Sequence, residues 1–274
     1  MQIPTCATWN QTGITVAGNA NGSLGSDTRS LRVPVSIFID NNYTLYICDR
    51  DNHRIMRYEA NDTTGTVAAG TGVAGSAATQ LNSPKGVAVD HMGAIIVADS
   101  SNYRIQRFPL GSLAGITIAT NNSNNLLGQT RDLHIDVNNG VYVTDSDYSR
   151  IVKYFPNNGI GVILAGSSGP GTGAAQLLQP FGNFMDGNQT LYVADYGNHR
   201  VQKWPTGATS GITVAGVTST PGSNLTLLYN PVAVLVDNNG YVIYFSYIYL
   251  RHTPFIFQLY TKNDNEFFAT ENID

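Results

Sequence analysis

Four acid–base pairs recur at a single spacing: Asp49 and Arg54, Asp99 and Arg104, Asp145 and Arg150, Asp195 and Arg200, each arginine five residues after its aspartate. A carboxylate can act as a general base or metal ligand, and a guanidinium can hold an anion. Catalysis needs one asymmetric constellation, however, and a pair that returns four times returns with the fold. Across a tight hairpin the two ends of each pair face one another, so the spacing predicts a structural carboxylate–guanidinium bridge. The histidines divide by position. His53 and His199 directly precede Arg54 and Arg200 and are expected to cap the hairpin; His91 falls in a turn, His134 interrupts an apolar strand, and His252 lies in an anomalous tail. No two stand at metal-ligand spacing, and Cys6 and Cys48 are too few for a zinc site or a disulfide framework. Cys48 takes the place of Ala98, Thr144 and Ala194 in the other pairs' strands and reads as a small buried side chain.

The elements that must carry these pairs come from a repeat. Leu31, Leu81, Leu127, Leu177 and Leu228 each precede Pro34, Pro84, Thr130, Pro180 and Pro231 by three residues. Asp40, Asp90, Asp136, Asp186 and Asp237 follow six residues later, giving spacings of 50, 46, 50 and 51. A period of this length denotes supersecondary units that cannot bury a hydrophobic face alone. In the second unit, Gly86–Val89 reads as a first strand and Asp90–Gly93 as a turn in which the Asp side chain bonds backbone two residues on. Ile95–Ala98 is then a buried second strand. Arg104–Phe108 is a third strand, alternating between a buried and a wet face. The fourth strand runs from Gly to Gly with Ala before the last, as in Gly65–Gly70, Gly161–Gly166 and Gly211–Gly216; Gly115–Thr120 departs only at its end. Gly13–Gly18 has the same pattern with no unit before it, which predicts that the first segment closes the last blade of a ring.

Composition narrows the function. Charged residues are 12% of the 274, and the net charge is −4. With few and scattered basic residues, nucleic-acid binding is not expected. No phosphate loop or serine nucleophile elbow is present, and Tyr241–Leu250 is too short to span a bilayer. No signal peptide is visible, whereas sequons at Asn10, Asn21, Asn42, Asn61, Asn121, Asn188 and Asn224 tilt towards an extracellular setting.

The run Pro84–Phe108, with Gly-Val-Ala-Val-Asp, Ala-Asp and Asn-Tyr-Arg-Ile-Gln-Arg-Phe, resembles the NHL repeat, as does Tyr192–Trp204 with Asn198-His199-Arg200. The resemblance covers about residues 31–240. It implies an all-β propeller of four-stranded antiparallel blades, with proteins of the family serving as binding domains in TRIM-type ubiquitin ligases, bacterial receptor kinases and secreted proteins. Related propellers include peptidyl-hydroxyglycine amidating lyase and lactonase-like hydrolases. The pattern fails in the fifth unit, where Phe245 replaces the Asp and the Arg is lost. The chain therefore reads as one domain of five blades closed by the N-terminal strand, or as an incomplete six-bladed propeller, with 241–274 an atypical last blade or an aberrant tail.

Two functional readings follow. The first is a monomeric, non-enzymatic scaffold that binds a protein, peptide or glycan through its loop face without metal or cofactor. Arg50, His53, Tyr103, Tyr148, Tyr196 and His199 are its contact candidates, because tyrosines beside Asn and Ser suit adaptable recognition. The second is a hydrolase or lyase with calcium or zinc on the propeller axis, for which His134 is the candidate ligand. A third possibility, a nonfunctional gene fragment, predicts insolubility or non-cooperative unfolding.

Overall fold

The computed structural model describes residues 14–122, 126–155, 159–222, 224, 226–237, 240, 242–250, 253–263 and 266–269; Cys6, Asn10, Gly13, Asn238, Asn239, Tyr241, Arg251 and His252 lie outside them. The described strands form five four-stranded sheets, each a meander in chain order. The first holds β1 (Pro34–Ile39), β2 (Leu45–Asp49), β3 (Arg54–Tyr58) and β4 (Thr66–Ala69). The second holds β5 (Gly86–Val89), β6 (Ile95–Asp99), β7 (Arg104–Phe108) and β8 (Ile116–Thr120). The third holds β9 (Thr130–Ile135), β10 (Val141–Asp145), β11 (Arg150–Tyr154) and β12 (Gly161–Ala165). The fourth holds β13 (Asn183–Met185), β14 (Leu191–Asp195), β15 (Arg200–Trp204) and β16 (Ile212–Gly216). The fifth holds β17 (Pro231–Val236), β18 (Val242–Leu250), β19 (Thr253–Asn263) and β20 (Glu266–Ala269).

Two compact bodies are distinguished, residues 14–147 with 152–162 and residues 148–151 with 163 onward. Within the first body β5 packs against both β1 and β9; within the second, β17 packs against β13 and β14. The second strands β2, β6, β10 and β14 are buried almost throughout, because both of their faces are covered. The repeating leucines Leu31, Leu81, Leu127, Leu177 and Leu228 are all buried beside them. The first strands β1, β5, β9 and β13 end in the expected Asx turn. Asp90 Oδ1, for example, accepts the N–H groups of Met92 and Ala94 at 2.9 and 2.8 Å, and Gly93 takes φ +76°.

Both glycines of the fourth-strand pattern have steric causes. A Cβ on the first would stand 2.7 Å from the Tyr58 ring at Gly65, 3.0 Å from Phe108 at Gly115, and 2.6 Å from Trp204 at Gly211. In these three sheets the aromatic side chain ending the third strand therefore packs directly on the glycine. At the closing position Gly70, Gly166 and Gly216 have φ of +84°, +77° and +78°, the left-handed region that L side chains avoid. Thr120 needs no glycine because its backbone is not left-handed; the N–H of the next residue, Asn121, donates to the Tyr103 carbonyl at 3.0 Å.

Two expectations are corrected. The third strands do not alternate between dry and wet faces: Gln106 and Gln202 are buried, and solvent reaches the fourth residue of β3, β7, β11 and β15 (Arg57, Arg107, Lys153, Lys203) and the first residue of β7 and β11 (Arg104, Arg150). Neighbouring strands and sheets cover the face that the alternation assigns to water. Residues 14–18, expected as a closing strand, carry no strand, and the fourth place in the last sheet belongs to β20, paired with β19. The local pattern encodes packing rather than pairing. Ala17 packs against Leu31, Ile47, Met56 and Tyr58, just as Ala69 packs with Leu81 and Ala165 with Leu177. A strand needs a ladder partner in addition, which the six residues do not specify.

Candidate functional site

Three of the expected bridges have the same geometry. Nε of Arg54, Arg104 and Arg200 donates to Oδ2 of Asp49, Asp99 and Asp195 at 2.7, 2.7 and 2.8 Å, and all three carboxylates are fully buried. The same Oδ2 accepts from Nδ2 of Asn52, Asn102 and Asn198 at 2.8 Å. Oδ1 accepts the N–H of Arg32, Asn82 and Leu178 at 2.6, 2.7 and 2.7 Å. The remaining guanidinium nitrogens reach back to loop carbonyls: Ser26, Asp27 and Ser30 for Arg54, Ser76, Ala77 and Gln80 for Arg104, and Thr172, Gly173 and Gln176 for Arg200. Each Asp–Asn–Arg group is therefore a clasp that fastens a hairpin to the loop before its own first strand. In the third hairpin Tyr148 stands where the others have Asn; Asp145 Oδ1 accepts the N–H of Gly128 at 3.2 Å, and the guanidinium of Arg150 lies 4.9 Å from the Tyr148 ring centroid. Burial raises the Asp99 and Asp195 carboxyls above the ordinary carboxylate value, against the pull of their asparagine, backbone and arginine donors.

The residue before each arginine is left-handed, with φ of 51°, 51°, 52° and 56° at His53, Tyr103, Ser149 and His199. This conformation turns three of the side chains towards the following repeat. Nδ1 of His53 accepts the N–H of Ser83, Oγ of Ser149 that of Gln179, and Nδ1 of His199 that of Asn230, each at 3.1 Å. A histidine used as an acceptor must be neutral at that nitrogen. Burial lowers the His199 pKa from 6.5, with Asp195 opposing it. The unfolded chain then takes up the proton first, so this contribution to stability is complete above pH 6.5 and is lost as pH falls through the lower folded value. His199→Ser copies the acceptor that Ser149 already provides. The variant is expected to keep its melting temperature at pH 7.5 and to lose less of it than the parent between pH 7 and pH 5; equal losses in a thermal scan would disprove the linkage.

The contact candidates sit at or beside these hairpin tips. In the first body, Arg50 is ion-paired with Asp51 at 2.7 Å, His53 is engaged as above, and Tyr103 is 39% exposed. Tyr103 is released from the inter-repeat bond because the corresponding N–H, that of Gln129, donates to Asp147 Oδ2 at 2.9 Å. In the second body, Tyr148 is 40% exposed, Tyr196 stacks on Phe181 with ring centroids 4.4 Å apart, and the His199 ring lies 5.7 Å from that of Tyr229. The tips thus present aromatic surface on anchored backbone. His134, on β9, is held down to about 4 by burial, with Asp136 pulling the other way, and is a neutral imidazole 6.4 Å from the Tyr142 ring. Among the described residues no three His, Cys, Asp or Glu side chains converge as a metal site requires. Burial pushes the Cys48 thiol well up, as suits a packed side chain. Sequence reasoning missed Lys85, whose signal is a cation at the first-strand entry where Val35, Phe181 and Val232 stand in other repeats.

No helix among the described residues is long and apolar enough to cross a membrane. A search of curated proteins gives no sequence match. Among solved structures, the chain is similar to a nidogen–laminin complex component (21% identity, TM-score 0.61, covering 79% of this chain and 73% of that one). It is similar also to a gluconolactonase from Xanthomonas campestris (16%, 0.64, 87% and 75%) and to virginiamycin B lyase from Staphylococcus aureus (11%, 0.59, 86% and 69%). At these identities the likeness shows the fold, a β-propeller. Residues 81–108 match the family model of the NHL repeat, and the protein is a β-propeller that carries an NHL repeat.

Proposed function

We propose that the protein is a non-enzymatic binding module that engages a protein, peptide or glycan through its hairpin tips. The observation that carries this reading is that the acid–base groups supplied by the repeat are buried in the clasps, bonded to backbone, while exposed aromatic surface remains at the tips. A tyrosine on rigid backbone loses little conformational freedom on binding, and offers an apolar face with a polar end. The relative in a nidogen–laminin complex supports a protein partner. The lyase and gluconolactonase relatives share the fold, and nothing at the tips or at His134 favours their chemistry here.

The test is to probe peptide and glycan arrays with the parent and with a variant carrying Tyr103→Ser, Tyr148→Ser and Tyr196→Ser. Binding to the parent's ligands is expected to fall at least about a hundredfold, because the three aromatic anchors each contribute on the order of 1–2 kcal/mol. Unchanged array profiles with a folded variant would remove the tips from the binding surface.

A further inference from the structure

The first strands of the second and third repeats open on cations, Lys85 after Pro84 and Arg131 after Thr130. Their strands lie close: a Cβ on Gly86 would stand 2.8 Å from the Leu133 nitrogen and 3.1 Å from the carbonyl carbon of Asp132. Backbone contact at that range brings Lys85 and Arg131 into one neighbourhood. Arg50, from the hairpin of the first repeat, adds a third positive charge felt at Lys85. Lys85 is half-buried, and its ammonium donates to Gln129 Oε1 at 3.2 Å. Lys153 and Arg107, by contrast, each hold a carboxylate, at 2.9 and 2.7 Å. Among the described residues Lys85 has no such ion pair. Of the nearby acids, Asp147 accepts the Gln129 N–H, Asp51 is held by Arg50, and Asp132, which follows Arg131 on β9, has interactions of its own. Two ammonium N–H groups of Lys85 thus remain beyond its bond to Gln129.

We infer that Lys85, backed by Arg50 and Arg131, anchors a carboxylate of an acidic peptide segment, which deepens the binding reading above and rests on it. Asp51 and Asp147 offset part of the cationic field, so the site suits a singly charged carboxylate better than a doubly charged phosphate. Burial lowers Lys85 to about 8, with Arg131 and Arg50 pushing the same way and Asp147 opposing them. A bound carboxylate favours the ammonium form and raises that value, so near pH 8 binding takes up about half a proton per site.

The experiment is calorimetry on the full chain at pH 8 in two buffers of different ionisation enthalpy, with a capped hexaglutamate peptide, a capped hexaglutamine peptide and inorganic phosphate as probes. Hexaglutamate is expected to bind with proton uptake, hexaglutamine not to bind, and phosphate to bind at least about tenfold more weakly than hexaglutamate. Lys85→Met is expected to weaken hexaglutamate about tenfold and to abolish the uptake. Lys85→Arg should keep the affinity while losing the uptake, since arginine does not titrate there. No hexaglutamate binding, equal binding by Lys85→Met, or tighter binding of phosphate would each overturn the assignment. The two readings fail separately: loss of array binding by the tyrosine variant together with unaltered hexaglutamate binding by Lys85→Met sinks this site and leaves the tips. The reverse pair of results sinks the tips and leaves Lys85.

Discussion

Replacing Asp195 by alanine is expected to destabilise the protein by about 3–5 kcal/mol, the cost typical of removing one partner from a buried pair. The loss does not come from forfeited attraction alone. Burial already raises the Asp195 carboxyl against its donors, so the charge itself is only partly compensated. Without it, however, the buried Arg200 guanidinium, the Asn198 amide and the Leu178 N–H lose their common acceptor in a site closed to water. Asp195→Asn offers only partial rescue, because its oxygen can replace one carboxylate oxygen while its NH2 faces the donors of the other. For a chain of this size the melting temperature should fall by roughly 6–20 °C. Hydrogen exchange should show the loop at 171–178, held by Arg200 through the carbonyls of Thr172, Gly173 and Gln176, opening first. A melting temperature within about 2 °C of the parent's would mean that the clasp is ornamental.

The second large effect is expected at Gly216. Its φ is +78°, and a Cβ there would stand 2.3 Å from the carbonyl oxygen of His199, a backbone atom that cannot step aside. The left-handed conformation alone costs an L residue about 1–2 kcal/mol. With the clash added, Gly216→Ala should cost on the order of 3 kcal/mol, read as a shift in urea midpoint at constant slope. Thr120→Gly, at the corresponding place in the second sheet, is the control. There the backbone is not left-handed, so glycine should cost only about 0.5–1 kcal/mol through chain entropy. Similar losses for the two substitutions would show that the His199 carbonyl moves to make room.

The repeat and its hairpin bridges were legible because they are short-range. Five residues across a hairpin place an Asp opposite an Arg whatever surrounds them, and Leu31 through Leu228 mark the core by spacing alone. The rest of each clasp was not legible. The arginine's other partners are carbonyls 24 to 28 residues earlier, and backbone acceptors leave no trace in side-chain identity. Asn52, Asn102 and Asn198 did leave one, standing three residues after each Asp, and Tyr148 breaks it in the third hairpin. The segment at residues 14–18 misled for a related reason: its alanine and glycine satisfy the packing rule of a fourth strand, while pairing depends on which strand arrives beside β19. At the candidate site, His53 and His199 were placed correctly on the hairpin. Their bonds to Ser83 and Asn230 depend on contacts about 30 residues away, which no local pattern carries.

Those inter-repeat bonds have an evolutionary consequence. Each joins an acceptor near the middle of one repeat, His53, Ser149 or His199, to a backbone N–H near the start of the next, at Ser83, Gln179 or Asn230. The donor is main chain, so every repeat with a residue other than proline at that place already carries it. A tandem duplication would therefore arrive with its own coupling to its neighbour and need no matching mutation, and the acceptor could drift between histidine and serine without unlinking the array. A tip freed from that duty, as at Tyr103, can vary without uncoupling its neighbours.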